Sequence, residues 1–342
     1  MNENILEIKD LAVSFSVGGE RLHALRGVSL SLRRGETLAL VGESGSGKSV
    51  TSRAVLGILP KNARVDGGSV KFCGKELIGA SEKELCALRG RQMAMIFQDP
   101  TSALDPIVKV GRQISEVVRL DKSVGAAEAR RRAVALMGEV GIPDPDERYD
   151  RYPFEFSGGM RQRIVIAIAL AAAPQLLICD EPTTALDVSV QARLLDLLES
   201  LKKERDLSML FISHDLGVVA RVADSIAVMY AGKILEYGRS DEIFYTPAHP
   251  YTRALLASVP DPDGDERPRA IEGAPPDMRR PPAGDPFAAR NPDAMLIDHE
   301  RFPPYFQLSP THFAASWTLH PYAPPTEMPE VLKRRIEKRR SR

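Results

Sequence analysis

Cysteine and tryptophan are scarce in this sequence, and long apolar runs are missing. The 342 residues include three cysteines and one tryptophan. The cysteines, Cys73, Cys86 and Cys179, show no paired spacing, which argues against a disulfide framework and favours a reducing cytoplasm. The longest apolar run, residues 164 to 173, is about half of what a membrane span needs. We therefore expect a soluble protein that is able to sit against a membrane protein.

The sequence also lacks a net charge and a recognisable leader. Lys and Arg total 46, as do Asp and Glu, so no global field attracts nucleic acid. The opening "MNENILEIKD" has no basic region followed by an apolar one, and we expect no secretion signal there. Hydrophobic residues make up 43% of the chain, which is enough for a real core.

The order of apolar patterns predicts an α/β fold. "ILEIKDLAVSF" and "LHALRGVSLSL" alternate apolar and polar residues, which is typical of a small antiparallel sheet. "TLALV", "LLIC", "SMLFIS" and "SIAVMY" are continuously apolar and are separated by helical patterns, as in a parallel sheet covered by helices. Residues 98 to 151 are rich in charge and in helix formers, and predict a helical insertion.

The last quarter of the chain differs from the rest in composition and in apolar pattern. From about Pro260 it holds more than half of the 26 prolines, and its apolar periodicity fades. We predict an irregular appendage there rather than a second large core.

The stretch "GESGSGKS", Gly42 to Ser49, places glycines and serines between a buried strand and a helix. It matches the pattern G-x-x-x-x-G-K-[ST], in which backbone N–H groups and the helix N-terminus surround phosphates. Lys48 is expected to reach the β- and γ-phosphates, and the hydroxyl of Ser49 to bind Mg²⁺. The alternative is an ordinary glycine-rich turn.

Two carboxylates end the apolar strand in "LLICDEP". Asp180 would lie beside the phosphate loop and hold Mg²⁺ through water. Glu181 would point elsewhere and act as the general base for the attacking water. Taken alone, the pair could be an acidic turn after a strand.

"FSGGMRQR", residues 156 to 163, resembles the signature motif of the ABC (ATP-binding cassette) ATPases. That family usually has LSGGQ, so Phe156 and Met160 replace the outer residues while Ser157, Gly158 and Gly159 are kept. The resemblance implies a P-loop NTPase fold: a RecA-like parallel sheet, an N-terminal antiparallel β subdomain, a helical insertion and an irregular Pro-rich C-terminal extension. It implies a nucleotide-binding domain over residues 1–245, a helical subdomain over about 98–160, and an extension over 246–342.

The same resemblance assigns the remaining site residues. Gln98 looks like the Q-loop glutamine, Asp187 like the end of the D-loop, His214 like the switch histidine, and Phe15 like the aromatic that stacks on adenine. The implied catalytic residues are Glu181, His214 and Gln98, and the implied Mg²⁺ ligands are Ser49, Gln98 and Asp180. The implied ATP contacts are Phe15, Gly42, Glu43, Ser44, Gly45, Ser46, Gly47, Lys48, Ser49, Val50, Ser157, Gly158, Gly159 and Asp187.

In this family two cassettes close head to tail on two ATP molecules. The resemblance therefore implies a second ABC ATPase subunit, a paralogue or an identical copy, with family analogy favouring a paralogue. It also implies two membrane-spanning permease subunits and, indirectly, a substrate-binding protein, with this chain peripheral at the cytoplasmic face of the membrane and no nucleic acid bound.

"MIFQDPTSALDP", "DEPTTALDVSVQ" and "TPAHPYTRALLASVP" are similar to the ATPase subunits of oligopeptide and dipeptide importers, a branch that also serves nickel and some sugars. Some members of that branch bind a four-iron four-sulfur cluster through cysteines of the extension. Here those positions read Asp285, Asn291, Asp298 and Ser316, so we predict no cluster.

The sequence leaves other interpretations open. A non-transport ABC ATPase is disfavoured because no long heptad run lies between phosphate loop and signature. A P-loop kinase would explain "GESGSGKS" but not "FSGGMRQR", Gln98 or His214. The basic tail "LKRRIEKRRSR" is expected to be a solvated, disordered end, and the alternative is weak attraction to an anionic membrane leaflet.

Overall fold

The fold is described here from a computed structural model of the chain. The structure describes residues 4–184, 186–259 and 270–340. The start of the proline-rich appendage at Pro260, the first three residues of the opening segment and the last two of the basic tail lie outside the described residues.

The strands, numbered in chain order, are β1 Asn4–Val17, β2 Glu20–Arg33, β3 Thr37–Val41, β4 Ala63–Phe72, β5 Lys75–Glu76, β6 Met93–Ile96, β7 Leu176–Asp180, β8 Ser208–Ser213, β9 Ser225–Tyr230, β10 Lys233–Arg239, β11 Tyr305–Gln307 and β12 Phe313–Ala315.

The α-helices are α1 Lys48–Leu56, α2 Glu82–Leu88, α3 Pro100–Ala103, α4 Val110–Val118, α5 Ala126–Glu139, α6 Pro145–Arg148, α7 Gly158–Leu170, α8 Val188–Arg205, α9 Leu216–Val222, α10 Ser240–Tyr245, α11 Pro250–Ala257, α12 Leu296–Glu300 and α13 Glu330–Arg340. Short 3-10 helices span Pro153–Glu155, Ala288–Arg290 and Trp317–Leu319.

The N-terminal strands form an antiparallel sheet in the order β2-β1-β4-β5. The alternating patterns of β1 and β2 predicted this pair, because one face of each strand is buried against the core. Strand β4 was missed, since Gly67 and Gly68 interrupt its pattern and read as a turn. Gly68 has φ of 96°, and a Cβ there would lie 2.5 Å from the Cα of Leu11, so only glycine lets β4 approach β1 this closely.

The main sheet has the order β11-β12-β10-β9-β3-β8-β7-β6. Strands β6, β7, β8, β3 and β9 pair in parallel, and every residue of β3, β7 and β8 is buried. Continuous apolar sequence is what a parallel strand covered by helices on both faces requires. Because parallel strands end at one edge, the loops after β3, β7 and β8 lie together there.

Between β6 and β7 the chain forms the helices α3 to α7. Residues of α4, α5 and α7 share one apolar cluster, which includes Ile114, Ala133 and Ile164. Gly111 allows α4 to lie against the ring of Tyr149, because a Cβ there would come within 2.1 Å of that ring. The helices α3 to α6 lie inside the predicted subdomain of about 98–160, and the division into domains remains a prediction.

The extension differs from the irregular appendage expected from the sequence. Strand β12 pairs with β10, and β11 pairs with β12, so the main sheet is continued by the extension. Phe287 of the extension and Tyr251 pack in the same apolar cluster as Val41 of β3. The appendage therefore shares the core of the cassette, and the local sequence could not show this because the pairing partners are distant along the chain.

The basic tail also differs from its expectation of a solvated, disordered end. It forms α13, in which Leu332 and Ile336 are buried, and Arg335 donates a hydrogen bond to the carbonyl oxygen of Leu256 at 3.1 Å. Among the described residues no helix combines the length and apolar content needed to cross a membrane.

Candidate functional site

The segment from Gly42 to Ser49 comprises the loop after β3 and the first two residues of α1. Gly42 has φ of 150°, and a Cβ there would lie 2.0 Å from the carbonyl oxygen of Met229, which leaves room only for glycine. Gly47 caps α1 in the left-handed region with no side-chain hydrogen bond to the helix. The N–H groups of the first turn of α1 therefore face no capping side chain, which suits an anion.

Lys48 is folded back onto this loop. Its Nζ donates to the carbonyl oxygens of Gly42 at 2.7 Å and Glu43 at 2.9 Å, and its side chain is buried. Burial lowers the pKa of Lys48, while the nearby carboxylates of Glu181 and Asp180 act in the opposite direction. The ammonium is therefore held inside the loop, and its contact with phosphates remains a prediction.

Ser49 and Asp180 meet where α1 begins and β7 ends. The hydroxyl of Ser49 donates to Oδ1 of Asp180 at 2.9 Å. Burial raises the pKa of Asp180, and the hydrogen bond from Ser49 partly offsets this. A hydroxyl and a carboxylate are the hard oxygen ligands that Mg²⁺ accepts together with phosphates and water. The residues present therefore fit the predicted Mg²⁺ site.

Glu181 turns sharply away from β7, with φ of 49°. Its Oε2 accepts hydrogen bonds from Gln98 Nε2 at 3.0 Å and Thr184 Oγ1 at 3.1 Å. Its Oε1 lies 3.2 Å from Nδ1 of His214. The left-handed turn sends this side chain to a different place from Asp180, as expected from the sequence, and its role as general base remains a prediction. Thr184 was missed because one hydroxyl in "EPTTA" carries no spacing signal.

The remaining loop residues are divided between core and surface. Ser46 is buried and its carbonyl oxygen accepts from Gly232 N–H at 2.9 Å, whereas Ser44 and Gly45 are exposed. Val50 packs partly against the apolar cluster beneath α1. Their contacts with nucleotide remain predictions.

The signature residues begin α7 on the surface. Ser157 caps the helix by accepting from Met160 N–H at 3.4 Å, and Ser157 and Gly158 are exposed. A Cβ on Gly159 would lie 2.9 Å from Cγ1 of Val190 in α8, so the start of α7 lies against α8.

Asp187 caps the helix α8. Its Oδ1 accepts from Val190 N–H at 2.9 Å and from Ser189 Oγ at 2.8 Å. The backbone hydrogen bond from Val190 lowers the pKa of Asp187. This carboxylate is therefore held by its own helix, and its predicted contact with ATP is not tested by these bonds.

Phe15 lies in β1, opposite Leu22 and Ala63. Its ring is partly buried and packs against the same apolar cluster as Leu25, a residue close to Gly47 of the phosphate loop. This position leaves its role at the adenine ring a prediction.

The four positions that carry cysteine in some importer ATPases are buried. Asp285 accepts from Phe287 N–H, Asp298 from Met295 N–H and Asn291 from Asp293 N–H.

The hydroxyl groups of Ser316 and Thr318 form a hydrogen bond. The side chains at the four positions offer only oxygen or nitrogen atoms as iron ligands, and no cysteine follows Cys179 in the sequence. These residues do not fit an iron–sulfur cluster, which is held by thiolates.

A glycine-rich phosphate loop beside two strand-end carboxylates, on a parallel sheet covered by helices, defines a P-loop nucleoside triphosphatase. The profile of the family described as ABC transporter matches residues 25–184. The profile described as oligopeptide/dipeptide transporter, C-terminal region, matches residues 235–297.

Curated relatives agree with both matches. The chain is 54% identical to the oligopeptide transport ATP-binding protein OppD of Bacillus subtilis (strain 168), over 98% of this chain and 94% of the relative. It is 51% identical to the dipeptide transport ATP-binding protein DppD of Lactococcus lactis subsp. cremoris (strain MG1363), over 94% of this chain and 93% of the relative.

Among solved structures, the dimeric bacterial ABC transporter cassette MJ0796 covers 69% of this chain with a TM-score of 0.61 and 26% identity, and 98% of that chain is matched. The chain belongs to the ABC transporter ATP-binding proteins, in their oligopeptide and dipeptide branch. The resemblance, the fold class and the assignment as an ATPase are thereby confirmed.

Proposed function

We propose that this chain is the ATP-hydrolysing subunit of a peptide importer, and that closure of two cassettes on ATP drives the transport cycle. The observation that carries the proposal is the contact of Glu181 with Gln98 and His214. Residues that follow the neighbouring strands β6, β7 and β8 therefore meet at Glu181, the residue predicted to be the general base. The relatives named for oligopeptide and dipeptide transport support the class of solute.

In this proposal each residue has a separate role. Lys48 leaves the carbonyl oxygens of Gly42 and Glu43 for the β- and γ-phosphates, and the N–H groups of the loop bind their oxygens. Mg²⁺, held by Ser49, Gln98 and Asp180, would neutralise charge on the phosphates.

Glu181 accepts a proton from the attacking water, and is oriented for this by Gln98 and His214. Its side chain is 16% exposed, so water can reach it. His214, which follows β8 and lies 3.2 Å from Glu181, would also contact the γ-phosphate in this proposal.

A second cassette completes each site. Ser157, Gly158 and Gly159 begin α7 at the surface, where their hydroxyl and N–H groups can meet the γ-phosphate of ATP held by a neighbouring cassette. Val190 fixes Gly159 beside Asp187, so the signature and the D-loop would enter that interface together. ATP then favours the closed pair, and hydrolysis removes the preference.

We propose a paralogous cassette as the second subunit. Two membrane-spanning permeases would dock on the helical insertion near residues 98 to 151, and a substrate-binding protein would deliver the peptide. The chain is then peripheral at the cytoplasmic face of the membrane. The names of the peptide-transport relatives support this assembly.

We further propose that the extension holds no iron–sulfur cluster, because its four positions offer no thiolate. Protein purified both aerobically and anaerobically should lack visible absorbance and bound iron. Stoichiometric iron accompanied by acid-labile sulfide in the purified protein would refute this.

The transport proposal is tested by reconstituting the chain with its permeases and second cassette in lipid vesicles. Loaded binding protein and peptide should raise ATP hydrolysis and carry labelled peptide inward, and Lys48→Ala in this chain should abolish both. If the rate of ATP hydrolysis does not change when permeases, binding protein and peptide are added, the importer assignment is wrong and a non-transport ATPase is favoured.

A further inference from the structure

Arg290 extends from the C-terminal extension to the phosphate loop. Its Nη1 donates to Oε2 of Glu43 at 2.8 Å and to the hydroxyl of Tyr230 at 2.9 Å. The other side of the guanidinium donates to the carbonyl oxygens of Glu272 at 2.8 Å and Ile271 at 3.0 Å. Four hydrogen bonds therefore fix its position, three to the fold and one to the loop.

Glu43, the second residue of the loop, is held at three points. Its carboxylate accepts from Arg290, and its backbone N–H donates to the hydroxyl of Tyr251 at 2.9 Å. Its carbonyl oxygen accepts from Lys48 at 2.9 Å. Two of these contacts come from residues beyond the predicted nucleotide-binding domain, which ends at 245. The third is the amine that is expected to bind phosphate.

The ion pair lies in a position where water screens it poorly. The side chain of Arg290 is 5% exposed and that of Glu43 is 24% exposed. Around it Tyr230, Tyr251 and Phe287 form an aromatic group, with ring centroids 4.5 Å apart for the two tyrosines and 5.2 Å for Tyr251 and Phe287. A buried arginine that loses its carboxylate leaves an unpaired charge, so the loop and the extension constrain each other.

We propose that Arg290, assisted by Tyr251, is a positioning residue for ATP binding. By holding Glu43 it keeps the phosphate loop in the shape from which Lys48 and the loop N–H groups bind phosphates. The inference rests on the proposed function of this loop. It makes the extension part of the nucleotide site, so a partner that moves the extension changes the affinity for ATP.

The test compares Arg290→Gln with Arg279→Gln in the full chain, alone for ATP binding and assembled with its second cassette for ATP hydrolysis. Arg279 is a matched control, because it lies in the same extension but forms an exposed ion pair with Glu20. The dissociation constant of a fluorescent ATP analogue, and KM and kcat for ATP hydrolysis, are measured with Mg²⁺. Arg290→Gln should weaken binding and raise KM on the order of 10-fold, with kcat changed less than about threefold. Arg279→Gln should leave all three unchanged.

Two further variants separate positioning from general loss of structure. Glu43→Gln should weaken ATP binding as Arg290→Gln does, and the double variant should be no worse than either single variant, because both remove one interaction. Arg290→Lys should recover part of the affinity, since it keeps the charge but loses the planar set of donors.

Thermal unfolding without nucleotide shows which variants remain folded at the assay temperature. If folded Arg290→Gln binds ATP as the parent does, Arg290 serves only the fold and the inference is wrong. Lys48→Ala tests the proposed function separately. If the parent hydrolyses ATP and Lys48→Ala does not, a normal Arg290→Gln refutes only the positioning role. If Lys48→Ala is as active as the parent, the assignment of the loop fails.

Discussion

At the scale of single residues, Asp180 and Glu181 are adjacent in sequence but lie in different surroundings. Asp180 ends a strand and is buried beside Ser49, whereas Glu181 takes a left-handed turn toward Gln98 and His214. Such a conformation is costly for a residue other than glycine, and it is found most often where function requires it. One step along the chain thus separates the proposed Mg²⁺ ligand from the proposed general base.

The first prediction concerns Glu181. Glu181→Gln should bind ATP with affinity close to that of the parent, since the amide keeps its size and still reaches Gln98. Hydrolysis should fall on the order of 10²–10⁴-fold, because the amide cannot accept the proton. Radiolabelled phosphate release measures the loss.

Glu199→Gln is the control, since Glu199 is an exposed residue of α8 paired with Lys203. Its turnover should equal that of the parent. Near-normal turnover of Glu181→Gln would show that another group removes the proton.

The second prediction concerns Asp180 and pH. Because burial raises its pKa in the folded state, the stability that neutral Asp180 provides is fully present below the ordinary aspartate pKa and is lost as the pH rises through the folded pKa. Without nucleotide, Asp180→Asn should therefore unfold at a higher temperature than the parent at pH 7. The difference should shrink as the pH falls toward the ordinary aspartate pKa, where both chains are neutral at this position.

The same variant should lose Mg²⁺-dependent hydrolysis on the order of 10²–10³-fold, because the amide lacks the negative charge with which Asp180 would hold the cation. Calorimetry at several pH values and an ATPase assay measure the two effects. A lower unfolding temperature at pH 7 would mean that the attraction of Asp180 to Lys48 outweighs its burial.

Sequence reasoning located residues whose chemistry is encoded within a few positions of each other. Lys48 and Ser49 follow glycines of the phosphate loop, and Asp180 and Glu181 end an apolar run. Spacing and strand context were therefore sufficient to select them as candidate site residues. Arg290 and Tyr251 carry no such signal. They reach Glu43 only because the chain returns to the loop after more than 200 residues, and one sequence does not reveal that return.

At the scale of elements, Glu236 of β10 joins three segments. It is fully buried and accepts from the N–H groups of Ala248 at 2.8 Å and His249 at 2.9 Å, with Nε2 of His312 at 2.7 Å from its Oε1. The segment that enters α11 and the turn before β12 are thus attached to one carboxylate.

The third prediction is that Glu236→Ala loosens the extension before the cassette. Three buried groups lose their acceptor, so the free energy of unfolding should fall by about 2–5 kcal/mol. The chain has a single tryptophan, Trp317, which lies in the extension and donates to the carbonyl oxygen of Arg301. Its fluorescence therefore reports the extension, while circular dichroism reports the whole chain.

In Glu236→Ala the fluorescence transition in urea should come before the dichroism transition. Asp241→Ala is the matched control, because Asp241 is exposed and pairs only loosely with Arg239 at 3.5 Å. It should change stability by less than about 0.5 kcal/mol. Coincident transitions in Glu236→Ala would show that extension and cassette unfold as one unit.

Elements were predicted well where periodicity was local and poorly where pairing was distant. The strands β3, β7 and β8 are buried throughout and read as apolar runs. Strands β11 and β12 have three residues each, too few for a periodic pattern. The sequence of α13 resembles a charged tail because its two buried apolar residues, Leu332 and Ile336, are only one turn apart.

At the scale of the whole molecule, Ser44 and Gly158 are exposed on the two surfaces that are proposed to meet across ATP. A Cβ on Gly158 would have nothing within 4 Å, so cysteine is tolerated there. The fourth prediction is that cysteine at Gly158 in this chain crosslinks to cysteine in the phosphate loop of the second cassette. Crosslinking should require ATP and increase in Glu181→Gln, because hydrolysis no longer opens the pair.

The experiment uses the assembled transporter with Cys73 and Cys86 replaced by serine, since both are exposed. Ser44→Cys in this chain, paired with cysteine at the first signature glycine of the second cassette, tests the other site. Lys83→Cys, on α2, is the control and should not crosslink. Equal yields with and without ATP would contradict head-to-tail closure.

The edge of the main sheet has a consequence for how the molecule is made. Strand β10 is covered by β12, whose residues follow those of β10 by more than 70 positions. Domains fold as they emerge from the ribosome, N-terminal parts first, so β10 stays unpaired on this side until β12 has been synthesised. An unpaired edge invites pairing with other chains. Premature termination before residue 313 should therefore yield insoluble protein rather than a smaller working motor.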